Sequence, residues 1–137
     1  MKIKLDAGAY MPERAHATDA GFDLRTPVTV ALMPHDAVVI DTGVHVQLPP
    51  NTVGMLKSKS GLNVKYGITG EGVIDVGYTG SIKVKLYNHT PYPYVFKVGD
   101  KVTQLVILPL AYIDGLEQVS ELDDSERGDG GFGSTGR

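Results

Sequence analysis

Short runs of β-branched and apolar residues, each cut off by glycine or proline, dominate the chain. They are Val28-Thr29-Val30, Val38-Val39-Ile40, Val44-His45-Val46-Gln47-Leu48, Ile82-Lys83-Val84-Lys85-Leu86 and Val102 to Leu108. Several alternate apolar with polar positions, the two-residue period of a strand with one buried face. The run from Ile82 is the clearest. It predicts a strand turning Ile82, Val84 and Leu86 one way, Lys83 and Lys85 the other. The longest stretch free of Gly and Pro, Leu116 to Arg127, is acidic and polar rather than amphipathic. Several ordinary helices are therefore excluded. One short helical turn is predicted over Ser60 to Tyr66. Closely spaced strands with Gly/Pro turns predict an all-β sandwich or barrel, of which a jelly roll is one form.

Composition narrows the chemistry. At 137 residues the chain is the size of one domain and long enough to bury a core. With no cysteine, disulfides, thiolate zinc sites and a cysteine nucleophile are excluded. Four scattered histidines offer no pair at metal-ligand spacing. A net charge of -3 argues against a general nucleic-acid binder. The opening MKIKLDAG holds no apolar block resembling a secretion signal, and Leu105 to Ile113 is too short to span a bilayer. These features predict a cytoplasmic protein without membrane partners. The character changes after Ile113, where six acids precede Arg127 and a glycine-rich end carries Phe132, Gly133, Ser134 and Thr135. Composition alone favours a disordered tail. A lone Phe among glycines, hydroxyls and arginines also suits a segment that folds over something flat and anionic. The expected division is therefore a β domain over 1–113 and a C-terminal arm over 114–137.

Several motifs carry candidate chemistry. Gly131-x-Gly133-x-x-Gly136 matches a dinucleotide fingerprint but lacks the following helix, and the neighbouring P-loop-like spacing lacks its lysine. Glycine-rich N–H groups can still wrap an anion. Asp75, in Gly72-Val73-Ile74-Asp75-Val76-Gly77-Tyr78, is either a turn aspartate or a general base beside a water. Tyr78 would then offer its face to a ring. Asp19 and Asp23 are surface or turn acids singly, and together could hold the waters of a hard divalent ion. Lys57-Ser58-Lys59-Ser60-Gly61 opens the predicted helical turn, a place suited to phosphate or simply to solvent.

Taken in order, these segments resemble the five motifs of the trimeric dUTPases. Ala17 to Leu24 is similar to the first, Lys59-Ser60-Gly61-Leu62 to the second and Gly72 to Gly80 to the third. Gly99 to Leu105 is similar to the fourth and Arg127 to Gly136 to the fifth. The resemblance implies a jelly-roll subunit in a homotrimer, with active sites between subunits and the C-terminal arm exchanged over a neighbouring site. It implies hydrolysis of dUTP to dUMP and pyrophosphate, limiting uracil in DNA and supplying dUMP for dTMP synthesis. Asp75 would activate the water that attacks the α-phosphorus, and Tyr78 would pack under the deoxyribose. Backbone around Gly70, Gly72 and Ile74 would contact the nucleoside, reading uracil and crowding out a 5-methyl group. Lys59, Ser60, Gly61, Gln104, Arg127, Gly133, Ser134 and Thr135 would hold the phosphates, and Phe132 would stack on the base. Mg²⁺ would bridge the phosphates through waters, with Asp19 and Asp23 as outer-shell support.

Two positions depart from the pattern, since the family usually has arginine where this chain has Lys59 and Lys101. Lysine keeps the charge but loses the planar fork, leaving Lys59 either a phosphate ligand or a structural cation. Related dCTP deaminases need a glutamate acid/base where this chain has Lys85, and an ammonium cannot relay those protons. A non-catalytic jelly-roll binding module is the remaining alternative.

Overall fold

The computed structural model describes residues 1–130, and Phe132, Gly133, Ser134 and Thr135 lie outside that range. The described chain is all-β with one short helix, a jelly roll. Its strands are β1 (Lys2–Leu5), β2 (Gly21–Arg25), β3 (Val30–Leu32), β4 (Ala37–Asp41), β5 (Val44–Gln47) and β6 (Thr52–Lys57). After helix α1 (Ser60–Tyr66) come β7 (Ile68–Thr69), β8 (Gly72–Ile74), β9 (Lys83–Asn88), β10 (Tyr94–Phe96) and β11 (Lys101–Pro109). The largest sheet runs β2-β11-β6-β8, a second runs β4-β9-β7, and the pairs β1-β5 and β3-β10 complete the shell. All the pairings are antiparallel. No helix among the described residues is long and apolar enough to cross a membrane.

The alternation in the sequence becomes the two faces of the sheets. Along β9, Val84, Leu86 and Asn88 are buried while Lys83, Lys85 and Tyr87 face out. Ile82, just before the strand, is fully buried. Inward residues from both larger sheets, including Leu24, Leu56 and Leu105 from one and Ile40, Val84 and Leu86 from the other, form one core. Burying a side chain of this size contributes about 1.5–3 kcal/mol, so this two-faced packing supplies the main drive to fold.

The predicted helix keeps its bounds, opening after extended Lys59 and closing at left-handed Gly67, whose N–H bonds Asn63 O. The predicted strand at Val28 starts late. The Thr26 hydroxyl donates to the Val28 carbonyl at 2.7 Å and accepts its N–H at 3.2 Å, making a turn that delays β3 to Val30. Thr26 is buried there, and the local hydroxyl bonds compete successfully with the ladder.

Asn88 is the polar member of the inward row on β9. Its amide donates to the carbonyls of Tyr92 at 2.7 Å and Met33 at 3.1 Å. Its Oδ1 accepts the N–H and hydroxyl of Thr90 at 3.0 and 2.8 Å. The side chain thus ties the 89–93 turn to the end of β3. Asn88→Ala is expected to cost about 1–2 kcal/mol, because it leaves these part-buried partners without their bonds. Urea denaturation compared with wild type checks this.

Candidate functional site

The four-stranded sheet carries Asp23, Gln104, Gly72 and Ile74, and the segments running off its strands carry Ser60, Gly61, Gly70 and Asp75. Central β11 places Gln104 opposite Asp23 of β2 on one side and Lys57 of β6 on the other. The Gln104 amide donates to the Ser58 carbonyl at 3.3 Å. Lys59, Ser60 and Gly61 follow β6 directly into α1. No side chain caps that helix, and nothing lies within 4 Å of where a Gly61 side chain would project, so its first turn is open.

Asp23 sits at the focus of this cluster and is buried. One carboxylate oxygen bonds the Lys59 ammonium, and the other lies 2.6 Å from the Lys101 ammonium. Burial alone pushes the carboxyl up, but hydrogen bonds and charge from Lys101 and Lys59 outweigh it and hold the group below the usual carboxylate range. Both departures from the arginine pattern therefore meet at one carboxylate. In this structure the Lys59 ammonium bonds Asp23, and both oxygens of Asp23 face ammonium groups. Asp19 stands apart. Its Oδ2 accepts the His16 N–H at 2.9 Å and faces the His16 ring at 3.3 Å, and its side chain is exposed.

Asp75 lies at the far end of β8. Ile74 points into the core, so the next residue turns outward, and Asp75 is exposed. Its carbonyl accepts the Tyr78 N–H at 3.0 Å, closing a tight turn. The Tyr78 hydroxyl donates to the Ser81 carbonyl at 2.9 Å. The ring passes so close to Gly80 that an added Cβ would lie 2.6 Å from the Tyr78 oxygen. Asp75 and Tyr78 share a cleft of about 230 Å³ with Val73, Ile74 and Lys83. A second, of about 430 Å³, runs from Asp75 to Tyr112 at the start of the C-terminal segment.

In β6-β8 pairing, Gly72 faces Leu56 and Ile74 faces Gly54. Asp75 therefore lies three residues, about 10 Å along a strand, beyond the end where Ser60 and Gln104 gather. Gly70 sits between β7 and β8, beside that same end. Arg127 is far along the exposed C-terminal segment, its Nε donating to the Gly130 carbonyl at 2.8 Å in a local turn. Lys85 faces outward on β9 with its ammonium 5.1 Å from the Tyr87 ring centre.

The whole chain can be set against known proteins. A family model described as dUTPase matches residues 7–136. The chain belongs to the dUTPase family. The deoxyuridine 5'-triphosphate nucleotidohydrolase of Clostridium kluyveri is 43% identical over 136 residues, covering 97% of this chain and 94% of that protein. The protein of the same name from Candida albicans is 40% identical over 129 residues, covering 93% and 81%. Among solved structures, a mutant dUTPase of Staphylococcus bacteriophage 80alpha with dUpNHpp matches with TM-score 0.91 at 34% identity, covering 99% of this chain and 98% of that one. A mutant dUTPase from phage phi11 of S. aureus, described with a coordinated structural Mg(II) ion, matches with TM-score 0.80 at 33% identity, covering 88% and 96%.

Among the described residues no three carboxylate or histidine side chains converge as a metal cage.

One further tie near Tyr78 comes from outside all five motifs. Both ring nitrogens of His45 face acceptors, Nδ1 the Thr79 carbonyl at 2.8 Å and Nε2 the Asp6 carboxylate at 3.0 Å, so both donate when the ring is protonated. It thereby fastens the loop after Tyr78 to the end of β1. The Thr79 carbonyl, then Asp6, raise the His45 pKa above its ordinary value, against a smaller opposition from burial and Lys4. Because the folded value is the higher one, this tie is strongest below the ordinary histidine pKa and is lost as pH rises through the raised value. In the sequence His45 shows only as a histidine at a strand position, which by itself points to no partner.

Asp23→Asn should cost about 2–3 kcal/mol in denaturation at neutral pH, since it strands two partly buried ammonium groups. In the wild type this contribution is present above the ordinary carboxylate range and disappears as pH falls below it, which acid titration of stability would follow. The His45 ring should titrate by NMR above about 6.5, the free-histidine value, with the amides of the 79–81 loop shifting in step.

Proposed function

We propose that this dUTPase uses Asp75 to hold and activate the water that attacks the α-phosphorus of dUTP, in a homotrimer whose sites are shared between subunits. The observation carrying the shared site is the separation of Asp75 from Ser60 along β6 within one chain. A carboxylate base must reach its water at hydrogen-bond distance while phosphate ligands hold the reacting group. One chain separates these tasks, and a neighbour's Asp75 reunites them.

In this reading Asp75 takes the proton of the attacking water, and the new P–O bond forms as the bond to pyrophosphate breaks. Tyr78 is held edge-fixed by Ser81 and supports the deoxyribose. Ser60, the Gly61 N–H and Gln104 bind phosphate oxygens, and the open first turn of α1 supplies further N–H donors. Lys59 acts through Asp23, keeping the second motif in register with the fourth. Mg²⁺, when bound, neutralises charge on the departing pyrophosphate. Asp19 would support its hydration shell. The backbone from Gly70 through Gly72 to Ile74 reads the base. The 114–137 arm closes over a neighbouring site, where Arg127, Gly133, Ser134 and Thr135 engage phosphate and Phe132 covers the uracil. The exposed Tyr112, Ile113, Leu116 and Leu122 side chains, in and just before the arm, are suited to packing on another subunit. Excluding water this way would strengthen the polar contacts in the site.

Pyrophosphate release with Mg²⁺ is expected to be rapid from dUTP and far slower from dTTP, dCTP or UTP. Asp75→Asn should lower it by about 10²–10⁴-fold while sedimentation still reports a trimer. Asp75→Asn and Ser60→Ala chains, unfolded and refolded together, should regain activity that neither has alone. No recovery would place both residues of one site on the same chain.

A further inference from the structure

The hairpin joining β7 to β8 is held by an atom outside every motif. The Ser58 hydroxyl accepts the Gly70 N–H at 3.0 Å and donates to the Gly70 carbonyl at 3.1 Å. A single oxygen thus satisfies both polar groups of one peptide residue. Gly70 falls between the ladders, since β7 pairs with β9 only through Ile68 and Thr69 and β8 pairs with β6 only from Gly72. It is also pressed against β9. An added Cβ would lie 2.6 Å from Leu86 Cδ2 and 2.7 Å from the Lys85 carbonyl oxygen. A residue wedged there and left unbonded would carry the full cost of two desolvated groups. A hydroxyl, which gives one hydrogen bond and takes another, is the side chain suited to the place.

Ser58 is itself anchored, its carbonyl accepting from the Gln104 amide. A second tie, the Lys57 ammonium 2.6 Å from Glu71 Oε1, is exposed and contributes little. With both groups of Gly70 engaged, the peptide groups next in line at the hairpin tip are those of Glu71, which belongs to neither strand.

We propose that Ser58 is a positioning residue for base recognition, fixing Gly70 so that the following peptides of the hairpin face the uracil edge at one distance. This rests on the assignment of the Gly70–Gly72 backbone as the base reader. Ser58 touches no substrate and acts through Gly70. Its loss therefore loosens the reader without removing a catalytic group, and the consequence falls on binding and on discrimination between bases.

The test compares Ser58→Ala, Ser58→Thr and wild type in steady-state hydrolysis of dUTP and dCTP. Ser58→Ala should raise KM for dUTP about tenfold, leave kcat within about twofold, and shrink the dUTP-over-dCTP preference about tenfold. Ser58→Thr, which keeps the hydroxyl, should restore both. If Ser58→Ala fails to fold, Ser58→Cys takes its place, since a thiol is a weak donor of similar size. An unchanged KM and preference, or a fall confined to kcat, would overturn the proposal, even if thermal stability dropped. The base-reading assignment is checked separately by titrating wild-type enzyme with dUMP and dCMP and following the Glu71 and Gly72 amides by NMR. Shifts with dUMP alone support it. No shift with dUMP overturns that assignment and the proposal with it, whereas shifts beside unaltered Ser58→Ala kinetics overturn only the role of Ser58.

Discussion

The double pairing of β11 sets everything else in place. One nine-residue strand carries a ladder to β2 on one edge and to β6 on the other. Because strand pairing repeats every two residues, a slip of one position would turn Leu105 out of the core and Gln104 into it. The buried Leu24, Leu56 and Leu105 oppose that slip. The same register brings Asp23, Gln104 and the approach to α1 together, so the site's geometry follows from core packing.

On that frame the Asp23 cluster solves a local problem of charge. Two ammonium groups converge on one buried carboxylate, an arrangement costly to desolvate and favourable only because both oxygens are bonded. The cluster also joins three separate segments, β2, the start of α1 and β11. Lysine does this with point charges on flexible stems, where a guanidinium would add a planar fork. The bonding here thus links the elements firmly while leaving less directional demand on each.

Much of the fold was legible in the sequence, for identifiable reasons. The β9 alternation needed only its own residues, and α1 was read as one short turn that stops before Gly67. The shorter strands were less visible. β7 and β8 are two and three residues long and separated by glycine, and β1 is largely exposed, so neither length nor burial marks them. Asn88 was hidden for the opposite reason, as a polar residue at an inward position whose partners lie on other turns. At the site, the family resemblance named Asp75, Tyr78, Ser60 and Gln104 as candidates. The partners of Asp23 could not be derived that way, because which charges meet inside a β shell depends on strand order. Ser58 and His45 act by hydrogen-bonding distant backbone, which leaves no mark in local pattern.

The crowding at Gly70 has an evolutionary consequence. With Leu86 and the Lys85 carbonyl occupying the space of any side chain, this codon is closed to ordinary drift. The adjoining Glu71 is exposed and bound only by a surface ion pair. Lineages descending from this sequence can therefore explore the hairpin at its tip, one charge or size at a time, while its base stays frozen. Diversity and constancy would then sit on neighbouring residues of the same turn.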